Sequence, residues 1–181
     1  AANGYGFASG AVHLSGTGTP EGVVTAAPGS TWLQTDATTD VKGWLRWIKA
    51  TGTGNTGWVA GPEADTGWRN MTAEALSNSW AVYASAFHLR RVGSQVTLRG
   101  YFDKNAASAD TIINLAAGFR PTYDVFHTAI TDTADDRVTA TIRANGDLQA
   151  IRSEMSSRYL YLTVTWTCVA AWPSSLPGSA A

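Results

Sequence analysis

The segment between Pro20 and Trp58 most constrains the fold, because its strands are too short to bury their own tryptophans. Short β-like runs carry Trp32, Trp44, Trp47 and Trp58, and Gly, Pro, Asn and Asp separate them. Around Trp47 both parities of the run are substantially apolar, which is typical of a strand that is covered on both faces. We therefore predict that these four tryptophans pack between chains in a short intertwined β stem; the alternatives are burial in a core and stacking on sugars.

Composition excludes several classes of function. Only 15% of the 181 residues are charged and the net charge is −1, whereas about 25% charged residues is usual. Attraction to nucleic acid or to an anionic membrane is therefore not expected as the main function. No run approaches the roughly 18 apolar residues that span a bilayer, so we expect no membrane insertion. Cys168 is the one cysteine, so no intrachain disulfide is possible.

Strand patterns dominate the rest of the chain. Residues 158–168 alternate strictly between an apolar and a polar face, as in a half-buried strand. The polar face carries Tyr159 and Tyr161. Cys168 lies on the apolar face, so we predict that it is a buried small hydrophobe and not a nucleophile.

Two hairpins can be read from turn residues. Gly93-Ser94 suits a two-residue turn, which places Leu89 opposite Leu98 and Phe87 opposite Gly100.

The second hairpin turns at Asn145-Gly146, and its register is open. A two-residue loop places Ile142 opposite Gln149, and a three-residue loop that includes Asp147 places Ile142 opposite Ala150. The second register is preferred because it keeps the apolar faces together.

These patterns predict an all-β chain in four parts. Residues 1–19 are expected to form a flexible connector, 20–66 the stem, 67–173 a β-sandwich head and 174–181 a tail. About seven or eight strands are expected between residues 68 and 172, the number that a sandwich or jelly roll requires.

The polar face of the head offers a candidate carbohydrate site. Tyrosine rings stack on sugars and carry a polar tip, so Tyr159 and Tyr161, beside Arg158, form the best platform. Tyr123 and His127 form a second one. The alternative for Tyr159 and Tyr161 is packing between subunits.

No catalytic residue, metal or cofactor is predicted. Three carboxylates between residues 132 and 136 suit a polar turn, with calcium as the alternative. The remaining acids are scattered and single out no hydrolytic pair. The three histidines lack zinc-ligand spacing, although three copies of one histidine could meet on a trimer axis.

The stem resembles a segment found in minor tail proteins and in tail or head fibres of bacteriophages. That resemblance rests on a Pro-x-Gly-x-Val-x-Ala phrase, a Trp-x-Lys strand and a Gly-Thr-Gly-x-Thr-Gly-Trp close. The matching residues are Pro20, Gly22, Val24, Ala26, Gly29, Ser30, Trp32, Trp47, Lys49, Gly52, Thr53, Gly54, Thr56, Gly57 and Trp58. The head resembles the terminal sandwich of the same proteins in the phrases at 89–100, 115–121 and 145–148.

The resemblance implies a homotrimeric virion appendage with a jelly-roll-like head that recognises the bacterial surface, often through carbohydrate. Its expected partners are its own copies, other virion proteins, and a surface glycan or protein receptor. It supplies no catalytic set, so a non-enzyme is expected. The alternatives are a capsid-decorating or tail-assembly protein without receptor binding, a polysaccharide depolymerase, and a monomeric carbohydrate-binding module.

Overall fold

The computed structural model describes residues 3–6, 10–37, 44–104, 109–132, 137–151, 155, 158–173 and 175–181. Contacts divide the chain into two compact units, Ala1–Gly67 and Trp68–Ala181. The described residues form fourteen strands and one short 3₁₀ helix, so the predicted all-β class is confirmed.

The first unit is a five-stranded sheet in the order β1-β2-β3-β4-β5. Its strands are β1 (Asn3–Gly6), β2 (Val12–Gly16), β3 (Thr31–Gln34), β4 (Leu45–Lys49) and β5 (Trp58–Ala60). β2 and β3 are parallel, and the other neighbours are antiparallel. The residues expected as a connector therefore hold β1 and β2, which are hydrogen-bonded into this sheet.

Three tryptophans are buried on one face of that sheet. Trp32 lies opposite Trp47 across β3 and β4, and Trp58 lies opposite Lys49 across β4 and β5. The three rings are 5–6% exposed. Their indole N–H groups donate to the Gly18 carbonyl, the Gln34 side-chain oxygen and the Val24 carbonyl at 3.1, 3.0 and 2.8 Å respectively, so burial leaves no indole donor unsatisfied.

A buried lysine organises the loop between β4 and β5. Lys49 is 1% exposed, and its Nζ donates to the carbonyls of Gly54, at 2.8 Å, and Thr56. It also lies 5.7 Å from the centre of the Trp58 ring. The Lys49 ammonium thus replaces water for the two carbonyls, which explains why a lysine lies on the buried face of β4, two residues after Trp47.

The end of the same loop is fixed by Glu21. Its carboxylate accepts the N–H groups of Gly57 and Trp58 at 3.2 and 2.7 Å. Gly57 has φ +91°, and a Cβ there would lie 2.4 Å from the Thr51 carbonyl oxygen. This position therefore requires glycine, and the Pro-Glu-Gly phrase meets the Thr-Gly-Trp phrase in space.

The second unit is a nine-stranded sheet in the order β14-β6-β7-β8-β13-β10-β11-β12-β9. Eight of its strands lie between residues 68 and 172, in agreement with the expected seven or eight. The bounds are β6 (Arg69–Asn70), β7 (Ala81–Val92), β8 (Gln95–Asp103), β9 (Thr111–Asn114), β10 (Val125–Thr131), β11 (Arg137–Ile142), β12 (Asp147–Ala150), β13 (Tyr159–Thr167) and β14 (Ser179–Ala180), with a 3₁₀ helix at Ala117–Phe119.

This sheet curls so that its far edge returns to the chain that leads into β7. Ser77 N–H donates to the Ile112 carbonyl at 2.6 Å, and the Trp80 indole N–H donates to the Ala109 carbonyl at 2.8 Å. The enclosed apolar side chains form one core cluster drawn from β7 to β13. The arrangement is sandwich-like, as predicted.

The first hairpin register is confirmed. Leu89 lies opposite Leu98 and Phe87 lies opposite Gly100. Phe87 meets Phe102 edge to face at 5.2 Å between ring centres. Cys168 is fully buried, as the alternation predicts.

Both registers considered for the second hairpin are wrong. Ile142 lies opposite Leu148, and Arg143 N–H donates to the Asp147 carbonyl at 2.9 Å. The loop is therefore 144–146, with Gly146 at φ +99° and the Asn145 side-chain oxygen accepting Asp147 N–H at 3.0 Å. The asparagine's own hydrogen bond holds Asp147 at the start of the strand, and the apolar faces still match.

Arg91 holds the segment that follows β13. Arg91 is 5% exposed and donates to the carbonyls of Gly118, Ala170 and Ala171. Burial lowers its pKa from the usual value. The residues expected to form a tail include β14, which pairs with β6.

Candidate functional site

Four tyrosines, two of them exposed and two half-buried, form a group on the outer face of the curled sheet. We call this group the tyrosine cluster: Tyr83 on β7, Tyr101 on β8, and Tyr159 and Tyr161 on β13. Tyr101 and Tyr161 stack at 3.8 Å between ring centres. Tyr83 lies 4.6 Å from Tyr101 and 4.4 Å from Tyr159, so the four rings form one continuous aromatic surface.

Strand pairing and a bulge bring the cluster together. Tyr161 lies directly opposite Tyr101, and the alternation of β13 places Tyr159 on the same face. On β7, residues 83–86 face the single β8 residue Tyr101, because the register shifts there. Ala84 and Ser85 adopt φ of 52° and 54° within this bulge. Such a conformation is uncommon for residues other than glycine, and it carries Tyr83 over the neighbouring rings.

The pKa values of Tyr101 and Tyr159 are raised. Tyr161 and Tyr101 hydrogen bond through their hydroxyls, and this bond is the main cause of a raised pKa at Tyr101, with desolvation second. Desolvation is the main cause of the raised pKa at Tyr159. Both phenols are therefore uncharged near pH 7, where they can donate and accept hydrogen bonds.

An ion pair borders the cluster. Arg158 Nε lies 2.8 and 2.9 Å from the two carboxylate oxygens of Asp103, which is only 8% exposed. The hydrogen bond to Asp103 raises the pKa of Arg158. The guanidinium lies 5.3 Å from the centre of the Tyr159 ring. Asp103 thus fixes Arg158 beside the rings and compensates its charge.

The arrangement suits a ligand with a flat apolar face and hydroxyl groups. Ile130 is 62% exposed and lies opposite Tyr161, so it extends the apolar surface onto β10. Thr163 and Thr165 continue the outer face of β13 beyond Tyr161. Aromatic faces bordered by hydroxyls and an oriented guanidinium are what carbohydrate recognition requires.

The residues predicted to bind carbohydrate do not all lie at one site. Arg158, Tyr159 and Tyr161 lie together. Tyr123 lies in the loop before β10 and is 80% exposed. His127 shares the parity of the buried Ala129, whereas Tyr161 lies opposite the outward-facing Ile130, so His127 belongs to the other face of the sheet.

Sequence reasoning missed Tyr83, Tyr101 and Asp103. The confirmed 93–94 hairpin contains a signal for Tyr101, because continuing its alternation beyond the buried Leu98 turns Tyr101 outward. Tyr83 carries no such signal, since its position depends on the bulge at 83–86.

The four stem tryptophans divide into two groups. The chain itself supplies the burial of Trp32, Trp47 and Trp58 that the sequence argument assigned to neighbouring chains. Trp44 is 40% exposed and shares the opposite face with Leu33 and Val59, which are 40% and 49% exposed. For Trp44 the interchain packing stays a prediction.

Among the described residues, no group of three or more His, Cys, Asp or Glu side chains is placed to hold a metal. Asp132 accepts the N–H of Tyr159 at 3.2 Å, and Asp135 and Asp136 lie outside the described residues. In the part of the chain that the structure describes, no helix is long and apolar enough to cross a membrane.

Comparisons of the chain with protein-family models, with curated proteins and with solved structures find no match. The resemblance to bacteriophage fibre proteins therefore stays a prediction.

Proposed function

We propose that this protein is a virion attachment protein, a bacteriophage tail fibre or spike, that binds a glycan of the bacterial surface through the tyrosine cluster. The observation that carries the proposal is the continuous aromatic surface of Tyr83, Tyr101, Tyr159 and Tyr161, in which Tyr83 and Tyr161 are exposed and the other two are half-buried. Ring contacts of 3.8–5.6 Å join these residues.

The rings are held in place before any ligand arrives. Each of the four tyrosines contacts at least one other ring, and the Tyr101–Tyr161 hydroxyl pair fixes two of them further. A site whose side chains are already ordered loses less conformational entropy on binding. Such preorganisation supports a binding role for the surface.

The carboxylates near the cluster support binding without hydrolysis. Glycoside hydrolysis uses two acids, one to protonate the leaving group and one as nucleophile or base. Asp103 is engaged by Arg158 and Asp132 by the N–H of Tyr159. Both carboxylates thus have structural partners, so we propose a non-enzymatic function.

The exposed apolar face of the five-stranded sheet supports assembly. Leu33, Trp44 and Val59 share that face, and the Arg46–Glu63 ion pair lies beside them with 2.6 Å between Nε and Oε1. In the proposed homotrimer, this face packs against other copies. It equally favours the second candidate function, capsid decoration or tail assembly without receptor binding.

The test measures binding of the full chain to a panel of immobilised bacterial surface polysaccharides. Tyr161→Ala should weaken binding tenfold or more, since loss of a central aromatic contact typically costs above about 1.4 kcal/mol. Tyr123→Ala is the matched control because it removes an exposed tyrosine outside the cluster.

Binding that depends on Tyr123 and not on Tyr161 would overturn the assignment of the site. If no polysaccharide binds, the second candidate function is favoured, which is capsid decoration or tail assembly without receptor binding. Release of reducing sugar from any bound polysaccharide would establish a depolymerase instead.

A further inference from the structure

We propose that Arg99 and Trp68 form a second, cationic subsite beside the tyrosine cluster, and that the receptor is an acidic saccharide. The shared chemistry is an anionic oxygen group on a sugar, either a uronic-acid carboxylate or a phosphodiester. This inference rests on the proposed function, because it names the class of glycan that the same outer face takes.

The subsite adjoins the tyrosine cluster. Arg99 precedes Tyr101 by two residues on β8, so both side chains point to the outer face about 7 Å apart along the strand. Arg99 lies opposite Thr163 and Tyr101 lies opposite Tyr161. A sugar that stacks on the tyrosines therefore has its edge within reach of Arg99.

Trp68 orients the guanidinium. Arg99 Cζ lies 4.6 Å from the centre of the Trp68 ring, and Arg90 Cζ lies 5.9 Å from it. A guanidinium held over an indole by a cation–π contact can still direct its N–H groups toward a ligand. That edge matches the two oxygens of a carboxylate or phosphate.

The charge of Arg99 distinguishes it from the arginine at the other end of the cluster. Asp103 compensates Arg158, but among the described residues no carboxylate pairs with Arg99, which is exposed. His88 lies opposite Arg99 on β7 and adds no negative charge. The outer face therefore combines a neutral aromatic area with positive charge at one end.

The test compares three polymers: polygalacturonate, its carboxyl-reduced neutral form, and poly(glycerol phosphate). Binding to the full chain is measured at low and high salt. The wild type should bind at least one anionic polymer tenfold or more tighter than the neutral polymer, and added salt should remove that preference.

Arg99→Gln should abolish the preference and leave binding to the neutral polymer unchanged. Arg143→Gln is the matched control, since it removes an exposed arginine at the 144–146 loop and should keep the preference. Tyr161→Ala should weaken binding to all three polymers. Thermal unfolding of each variant confirms that it is folded.

The outcomes separate the two proposals. Tyrosine-dependent binding without an acidic preference, or a preference that survives Arg99→Gln, overturns the cationic subsite alone. Absence of binding to all three polymers overturns the acidic receptor. In that case the polysaccharide panel decides whether the tyrosine cluster binds glycans at all.

Discussion

The two units place their aromatic residues in opposite ways. In the five-stranded sheet, Trp32, Trp47 and Trp58 are buried and each indole N–H donates to an oxygen of the same unit. In the curled sheet, the four tyrosines lie on the outer face and two of their hydroxyls pair with each other. The tryptophans thus pack inside the fold, whereas the tyrosines form the surface for which we propose glycan binding.

The difference shows that aromatic content alone does not indicate a binding site. The segment from Pro20 to Trp58 is the part of the sequence richest in tryptophan, yet three of its four tryptophans are buried. What marks the tyrosine cluster is its position on the side of the sheet opposite the core, together with a charged pair at its edge.

The largest expected effect on the free energy of unfolding comes from removing a buried tryptophan of the five-stranded sheet. Trp47→Ala should lower the free energy of unfolding of the first unit by about 3–5 kcal/mol, as for other buried tryptophans. Denaturant titration of the full chain measures this effect. Trp44→Ala is the control and, at protein concentrations low enough to keep both proteins monomeric, should stay within about 0.5 kcal/mol of wild type. Equal losses in both variants would mean that burial does not distinguish the two tryptophans.

A second variant tests the loop that encloses Trp58. Lys49→Met keeps an unbranched side chain that is one atom shorter but leaves the carbonyls of Gly54 and Thr56 without their donor. We expect a loss of about 2–3 kcal/mol in the free energy of unfolding. Arg46→Met is the control because its ion pair is exposed and worth at most about 1 kcal/mol. A Lys49→Met variant as stable as wild type would show that water can replace the lysine.

The pH dependence of stability tests the tyrosine cluster. Because the folded pKa of Tyr101 is raised, its contribution to stability is complete below about pH 10, the usual tyrosine pKa, and is lost as the pH rises through the folded pKa. Ultraviolet titration of the folded chain should show a late phase to which Tyr101 and Tyr159 contribute. Tyr101→Phe should reduce the amplitude of that late phase, and an unchanged late phase would contradict the raised pKa of Tyr101.

The smallest effect on the stability of a single chain is expected at the exposed apolar face of the five-stranded sheet. Trp44→Ser should leave unfolding nearly unchanged but prevent assembly, so its mass in solution should be that of the 19.1 kDa chain. The wild type should have three times that mass. A monomeric wild type would contradict the proposed trimer without affecting the tyrosine cluster.

Several features of the fold could be predicted from sequence because they depend on local chemistry. Alternation along 158–168 predicts that Cys168 is buried, and Gly93-Ser94 fixes the first hairpin register. The register at Gly146 could not be predicted, because the Asn145 hydrogen bond selects a loop that neither alternative contained. Burial of the stem tryptophans within one chain depends on long-range contacts such as Glu21 with Trp58, which no local pattern reveals.

The candidate site was partly predictable for the same reason. Tyr159 and Tyr161 follow from period-two alternation, but Tyr83 reaches them through a bulge with two positive φ angles. Asp103 could not be identified either, since its pairing with Arg158 spans two strands that are far apart in sequence.

The most direct test of the central claim follows aromatic NMR signals while a bound polysaccharide fragment is titrated into the full chain. We predict that ring signals of the tyrosine cluster shift with saturation, while the indole N–H signals of Trp32, Trp47 and Trp58 stay in place. Shifts of those indole signals with unchanged tyrosine signals would contradict the account.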